Sequence, residues 1–185
     1  LYDRAVSRGG ALQWIGPHWL DVMPWILDDP IARVNAQFHE SDQCDVEAGA
    51  VLQFETERGV AGTYHTGYYL DERGKDAHLG IYGTDAQART PLHHDSMDDT
   101  PTVPLELTTS QASWSGTDRR TIEYEFSYDR LPAWGDYFLE YFEAFFAGCD
   151  SGDVPATVDD AVQLLSVLDA AYASGESGSW ESVES

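Results

Sequence analysis

The strongest constraint on the fold of this chain is its hydrophobic period, which changes from helical to strand-like and back to helical. Apolar residues between Trp19 and Leu27 are spaced three or four positions apart, which predicts a short helix that ends at Asp28–Pro30. Pro24 lies within this pattern, and we expect it to kink or shorten the helix. After Pro30 the period becomes two, because Ala32, Val34, Ala36 and Phe38 alternate with polar residues.

Further strands are predicted by the same alternation. Two runs, Val46–Phe54 and Val60–Tyr69, flank an Arg58-Gly59 turn and together predict a β-hairpin. In the second run, alternation directs His65 and Tyr69 to one face and Tyr64 and Tyr68 to the other, so that one face contacts another subunit or lines a pocket. Three more strands are predicted at about His78–Gly83, Leu105–Trp114 and Thr121–Tyr128, with a polar, acidic loop at His93–Thr102.

Two helices are predicted near the end of the chain. The first carries aromatic residues at helical spacing between Trp134 and Phe146, which predicts a core face, and Gly148 is its expected C-cap. The second opens with Thr157–Asp160, a capping box with Asp in the Glu position. Helices on both sides of a run of strands predict an α+β fold, with a mostly antiparallel open sheet and helices packed on one face.

The chain is strongly acidic. It has 185 residues, 33 acidic against 10 basic side chains, and a formal net charge of −23. This charge excludes nucleic-acid binding through a basic surface and binding to anionic membranes. Lys75 is the single lysine, while the other basic residues are arginines. We interpret this composition as halophilic adaptation, because concentrated salt screens the repulsion between carboxylates; an acidic face for a cationic partner is the alternative.

The cysteines and the start of the chain suggest where the protein works. Cys44 and Cys149 form no C-x-x-C pair and no disulfide framework, and no signal peptide or long apolar run is present. We therefore expect a reduced, cytoplasmic protein. Because the sequence begins at Leu1 without Met, we also expect it to be part of a longer chain.

Sequence motifs for cofactor binding and hydrolysis are missing. The sequence has no G-x-G-x-x-G, no G-x-x-x-x-G-K-[ST], no G-x-S-x-G and no H-E-x-x-H. We therefore predict no cofactor-binding residues within the chain. His93-His94 with nearby aspartates fits a solvated loop better than a metal site, because adjacent histidines seldom converge on one ion. No metal site is predicted.

His18 is the strongest single candidate for a catalytic residue. It follows a glycine-rich stretch, and the predicted apolar helix begins beside it. An imidazole titrates near neutral pH and can take a proton from a hydroxyl group. The alternative is a capping or hydrogen-bonded histidine at the start of a helix.

The residues around His18 form a recognisable pattern. Six of them fall at fixed spacing: Gly9, Gly10, Ala11, Gly16, His18 and Asp21. This pattern, with the apolar helix after it, resembles the C-terminal domain of the glucose–fructose oxidoreductase/inositol dehydrogenase/MocA (GFO/IDH/MocA) family. The hairpin, the strand end Ile81–Asp85 and the segments Pro155–Ala161 and Leu168–Ser174 resemble later parts of that domain in the same order. The resemblance covers nearly the full chain.

The resemblance implies both a fold and a function. It implies that residues 1–185 are a single C-terminal domain, similar to that of glyceraldehyde-3-phosphate dehydrogenase, and that the N-terminal dinucleotide-binding domain is absent from this chain. Family members transfer hydride between NAD or NADP and a sugar, a cyclitol or a related hydroxyl compound. This chain would then bind the small-molecule substrate, form a homo-oligomer through the open sheet face, and be inactive by itself. His18 matches the family histidine that acts at the reacting hydroxyl.

One position departs from the family pattern. Four residues before the histidine the family commonly has Asp, whereas this chain has Trp14, whose indole can donate a hydrogen bond but cannot accept a proton. Trp14 either reshapes the substrate site, marks a loss of dehydrogenase chemistry, or is structural. Lys75, just before a predicted strand, is a second candidate substrate contact; a flexible loop lysine is its alternative. The rival function is a non-catalytic binding or assembly module that keeps the same fold.

Overall fold

The strands that the structure describes form two four-stranded antiparallel sheets. The computed structural model describes residues 4–42, 45–68, 77–91, 102–109, 119–125 and 136–184. These residues divide into two compact units, the first within 1–71 and 156–185 and the second within 72–155. With its helices and its antiparallel strands, the fold is α+β as predicted.

The first unit contains one sheet and four helices. Its strands are β1 (Ile31–His39), β2 (Gly49–Thr56), β3 (Ala61–Gly67) and, after the four strands of the second unit in the sequence, β8 (Glu181–Ser182); their order across the sheet is β3-β2-β1-β8. Its helices are α1 (Arg4–Ser7), α2 (Ala11–Leu20), α3 (Val22–Leu27) and α5 (Val158–Ser177). The Arg58-Gly59 turn joins β2 to β3, and Gly59 has a φ of 85°, so the predicted hairpin is confirmed.

Strand register gives the first sheet one apolar and one mixed face. Gln37, Val51 and His65 lie opposite one another across β1, β2 and β3, and the three side chains are exposed. The residues on the other face are buried under α2 and α5. The largest fully buried side chains of this core are Leu12, Leu20, Val34, Leu52, Val167 and Leu168.

The helix around His18 begins earlier than the sequence pattern predicts. Helix α2 starts at Ala11, so His18 lies in its last turn, and the interpretation of His18 as a residue at a helix start was wrong. The predicted helix is divided at Asp21 into α2 and α3. Pro24 explains the division, because it has no N–H to donate to the carbonyl group of Leu20 and its ring crowds that carbonyl.

The second unit contains the other sheet and one helix. Its strands are β4 (His78–Tyr82), β5 (Ala86–Pro91), β6 (Thr102–Thr109) and β7 (Arg119–Glu125), in that order across the sheet, and its helix is α4 (Tyr137–Ser151). The sequence analysis missed β5, whose residues include few β-branched or aromatic side chains. Strand β6 begins at Thr102, which had been assigned to a loop; the remainder of that loop and residues 110–114 and 126–128 lie outside the described residues.

The two later helices differ in how well the sequence predicted them. Thr157 accepts a hydrogen bond from the backbone of Asp160, whose side chain accepts one in return, so the capping box is confirmed. Helix α4 continues beyond Gly148 to a left-handed C-cap at Gly152. Its aromatic face was predicted to be core, yet several of its side chains are 39–66% exposed: Phe138, Tyr141, Phe142 and Phe146.

Asp29 links the end of α3 to the β2–β3 turn. Its buried carboxylate accepts the backbone N–H of Arg58 at 3.2 and 3.3 Å, and the Arg58 Nε atom lies 3.4 Å from Asp29 Oδ1. Burial acts to raise the pKa of Asp29, but hydrogen bonds from Thr56 and Arg58, together with the Arg58 charge, outweigh it and hold this pKa below its usual value. The charged form of Asp29 therefore stabilises the folded chain.

We expect Asp29→Asn to lower the free energy of unfolding at neutral pH. A carboxylate with a lowered pKa contributes stability that is fully present above its unfolded pKa of about 3.9 and is lost as the pH falls through the folded value. The difference in the free energy of unfolding between the wild type and Asp29→Asn should therefore become smaller as the pH falls from neutral to below the pKa of Asp29. Urea unfolding at a series of pH values measures this difference. Asp28→Asn is the matched control, because the Asp28 side chain is exposed; a gap for Asp29→Asn that is independent of pH would contradict the prediction.

Candidate functional site

Helix α2 presents Trp14 and His18 on the side that faces away from the first sheet. Leu12, Gly16 and Leu20 are buried, whereas Trp14 is 49% exposed and His18 is exposed. Each residue turns the helix by about 100°, so positions 14 and 18 lie about 200° from positions 12 and 16. Trp14 and His18 are four residues apart and therefore neighbours on this outward surface. Helix α2 therefore places the predicted catalytic residue and one predicted substrate contact next to each other on one surface.

Gly16 lies on the buried side of α2, between Leu12 of the same helix and Leu168 of α5. A Cβ atom at this position would lie 2.9 Å from Leu12 Cδ1 and 3.6 Å from Leu168 Cδ2. The second distance is ordinary van der Waals contact, so the glycine mainly leaves room for the Leu12 side chain, on the side of the helix opposite His18. Its role in the sequence pattern is packing.

The start of α2 is held by Glu47, from the segment before β2. Gly10 is the N-cap and has no side chain to cap the helix. Glu47 supplies both acceptors, because its carbonyl oxygen accepts the Ala11 N–H at 3.0 Å and its Oε1 atom accepts the Leu12 N–H at 3.1 Å. A Cβ atom on Gly10 would overlap the Glu47 carbonyl, and one on Gly9 would overlap the Tyr172 hydroxyl. Both glycines therefore allow a close approach.

This arrangement does not fit a phosphate-binding helix start. Such sites need free N–H groups at the first turn of a helix, and here the N–H groups of Ala11 and Leu12 donate to Glu47. The Glu47 side chain already lies where a phosphate would have to bind. The N–H groups of Ala11 and Leu12 at the start of α2 are therefore already occupied by Glu47.

The outward face of α2 offers two kinds of chemistry. The imidazole of His18 can accept or donate a proton, and the indole of Trp14 offers one N–H donor and a flat apolar surface. The Asp21 carboxylate is exposed at the C-cap of α2, three residues beyond His18 and close to the same surface. A hydroxyl compound bound to this face could contact a proton acceptor and an aromatic ring together.

The other candidates from the sequence are placed differently. Lys75, Tyr69 and the pair His93-His94 lie outside the described residues. His65 is exposed on the mixed face of the first sheet, whereas Tyr64 packs against the core on the other face, so their predicted separation holds. Within the ranges that the structure describes, no group of three or more His, Cys, Asp or Glu residues could hold a metal ion.

The second unit has a cavity of its own, of about 420 Å³, on the polar face of its sheet. Strand register brings Tyr82, Gln87, Thr108 and Arg119 into one row across β4 to β7. In the next row Glu106 lies opposite Arg89 and accepts a hydrogen bond from Arg119 at 3.1 Å. The sequence analysis identified no site here, because these polar residues alternate like any solvent-facing strand positions.

The sequence analysis also missed Glu47 and Tyr172. The Tyr172 hydroxyl donates to Glu47 Oε1 at 2.8 Å, although the two residues are 125 positions apart. Among the glutamates that the structure describes, Glu47 is the buried one, at 4% exposure, and exposure is a property of the folded chain. The sequence itself shows only a glutamate beside the apolar pattern of a strand.

The comparison with known families concerns the first part of the chain. Residues 1–89 match the GFO/IDH/MocA C-terminal domain, in agreement with the resemblance seen in the sequence. These residues are just under half of the chain. The match includes α2, with Trp14 and His18, and the strands β1 to β4.

Solved structures extend the likeness in fold to the whole chain. An NAD-binding oxidoreductase from Klebsiella pneumoniae aligns with a TM-score of 0.79 at 18% identity, over 99% of this chain and 53% of its own. A levoglucosan dehydrogenase in complex with NADH aligns with a TM-score of 0.77 at 16% identity, over 99% of this chain and 52% of its own. An aldose–aldose oxidoreductase from Caulobacter crescentus, complexed with glycerol, aligns with a TM-score of 0.74 at 16% identity, over 98% of this chain and 50% of its own.

The chain therefore spans about half the length of the solved structures that it resembles. Among curated proteins, no sequence matches this chain. In the part of the chain that the structure describes, no helix combines the length and the apolar character needed to cross a membrane.

Proposed function

We propose that this chain is the substrate-binding half of an NAD- or NADP-dependent oxidoreductase that acts on a sugar, a cyclitol or a related hydroxyl compound. The dinucleotide-binding half would lie outside these 185 residues, so the chain alone would be inactive. The observation that carries the proposal is the outward face of α2, which presents His18 beside Trp14 in a GFO/IDH/MocA C-terminal domain. The levoglucosan dehydrogenase with NADH supports the same chemical class.

His18 acts at the reacting hydroxyl in this proposal. One ring nitrogen of a neutral imidazole accepts the hydroxyl proton, or a hydrogen bond from it, while the other carries a proton. The exposure of His18 leaves it accessible to a substrate. Because Glu47 occupies the start of α2, the phosphates of the dinucleotide would be held by the other half of the protein.

Trp14 and Lys75 contact the substrate in this proposal. The indole of Trp14, half exposed one turn before His18, offers a flat face on which a sugar ring stacks, and its N–H can donate to a hydroxyl oxygen. Lys75 would donate from the segment before β4. Because Trp14 stands where family members commonly have Asp, we expect a substrate that needs no carboxylate at this position.

The wider setting follows from the composition and the sheets. We propose a halophilic, cytoplasmic homo-oligomer that uses an open sheet face for contact between subunits. The net charge of −23 supports halophilic adaptation, since concentrated salt screens carboxylate repulsion. The mixed face of the first sheet, with exposed Val51 and Gln37, supports a contact between subunits.

A non-catalytic binding or assembly module is the second candidate function. Trp14 favours it, because an indole cannot replace the carboxylate that assists proton transfer in family members. A module of this kind would keep the fold and the packing glycines but would not turn over a substrate.

One experiment separates the two functions. The full-length protein, encoded with the sequence upstream of Leu1, is tested in high salt against sugars and cyclitols with NAD and with NADP, and the nicotinamide absorbance is followed. The oxidoreductase predicts turnover with at least one pair, and the isolated 185-residue chain, as the matched control, should show none. A full-length protein that neither binds a dinucleotide nor reacts would reject the enzyme and favour the module.

A further inference from the structure

We infer that Glu47 is a positioning residue for His18, acting through the anchored start of α2. The inference depends on the proposed function, because it assumes that His18 acts at the substrate. Glu47 does not belong to the outward face that carries His18. It acts on the opposite end of the same helix.

The anchor consists of three hydrogen bonds to one residue. Glu47 accepts the Ala11 N–H at its carbonyl oxygen, the Leu12 N–H at Oε1, and the Tyr172 hydroxyl at the same Oε1 atom at 2.8 Å. Helix α2 has no side-chain cap of its own, so this distant residue does the work of one. A carboxylate at a helix N-terminus also interacts favourably with the helix dipole.

Burial makes the anchor rigid. Glu47 is only 4% exposed, and a buried carboxylate is costly unless it is hydrogen-bonded. Tyr172, which donates to it, is itself held by stacking on Phe38, with ring centroids 5.1 Å apart and planes 17° apart. Glu47 thus joins the start of α2 to α5 and, through Phe38, to β1.

The anchor can control His18 because α2 is short. From Leu12 to His18 the helix rises by about 9 Å, so a change in the position of the first turn is carried to the imidazole. Leu12 and Leu20 are buried and would keep the helix on the core after the loss of Glu47. The expected result is a folded protein with a displaced His18, and a displacement of about 1 Å can cost about a hundredfold in rate.

The test uses Glu47→Ala and Glu47→Gln in the full-length enzyme. Glu47→Ala removes both side-chain hydrogen bonds and should lower kcat by about ten- to a hundredfold, with the KM for the dinucleotide unchanged. Glu47→Gln keeps an oxygen acceptor of the same reach and should restore kcat to within about threefold of wild type. If Glu47→Ala fails to fold, Tyr172→Phe, which removes one of the three bonds, should give a smaller loss of the same kind.

A double variant and a structural control distinguish positioning from general destabilisation. Because Glu47 would act through His18, adding Glu47→Ala to His18→Ala should lower kcat little further, whereas independent effects would multiply. Thr157→Ala, which removes the capping box of α5 and so destabilises a helix far from α2 in the sequence, should leave kcat unchanged. Multiplying losses, or an equal loss in Thr157→Ala, would overturn the inference.

A readout without turnover keeps the inference separate from the proposed function. Amide hydrogen exchange over residues 11–20 should become faster in Glu47→Ala and stay unchanged in Thr157→Ala. Unchanged exchange in Glu47→Ala would refute the anchor whether or not the protein is an enzyme. Faster exchange in Glu47→Ala, combined with full activity in His18→Ala, would support the anchor as a structural feature. It would reject both the proposed role of His18 and a role for the anchor in catalysis.

Discussion

His18→Ala in the full-length protein is expected to lower turnover at least about a hundredfold. General acid–base catalysis by a positioned side chain contributes about a hundred- to ten-thousandfold, and alanine can neither accept nor donate the hydroxyl proton. The loss should appear mainly in kcat, because His18 acts on the reacting group and contributes little to binding of the rest of the substrate.

The same variant should leave the fold intact. His18 points away from the first sheet, while the packing contacts of α2 come from Leu12, Gly16 and Leu20. Urea unfolding of His18→Ala should therefore match that of wild type. His39→Ala, which removes another exposed histidine of the first unit, is the control for turnover. Turnover within threefold of wild type in His18→Ala would remove His18 from the mechanism.

Features that depend on neighbouring residues were predictable from the sequence. The capping box at Thr157, the turn at Gly59 and the alternation of β1 are each specified within a few residues, so the sequence pattern contains their physical cause. The neighbourhood of His18 and Trp14 has a local cause too, since the two residues are four positions apart on one helix.

Features that depend on distant residues were not predictable. Helix α2 begins at Ala11 because Glu47 supplies the acceptors for its first turn, and no local residue does so. The apolar residues from Trp19 onward placed the helix too late in the sequence, since the buried side of its first two turns consists of small residues and Leu12. The position of the helix start, and with it the position of His18 within the helix, required the tertiary contact.

The aromatic face of α4 shows a second limit. Helical spacing indicates that side chains share a face, but it does not say what covers that face. Phe142 contacts Phe138 and Phe146 along the helix, with ring centroids 5.2 and 6.4 Å apart, and still remains 42% exposed. Periodicity therefore predicted the helix correctly and its burial incorrectly.

Gly10→Ala should have the largest effect on stability of any substitution in the GFO/IDH/MocA pattern. The new Cβ would overlap the backbone carbonyl of Glu47, which cannot rotate away as a side chain can. The start of α2 would have to move, and the N–H groups of Ala11 and Leu12 would lose their acceptors. Overpacking and two lost hydrogen bonds together should cost about 3 kcal/mol or more.

Two other glycines provide matched comparisons for this prediction, with urea unfolding in high salt as the measurement. Gly9→Ala would displace the Tyr172 hydroxyl from Glu47 but would leave the Ala11 and Leu12 N–H groups bonded to Glu47, so it should cost less than Gly10→Ala. Gly59→Ala meets nothing within 4 Å, and its cost should be about 1 kcal/mol, from its φ of +85°. Similar losses in the free energy of unfolding at positions 10 and 59 would mean that Gly10 is needed for its backbone conformation. A clearly larger loss at position 10 would mean that the glycine is there to let Glu47 reach the helix that carries His18.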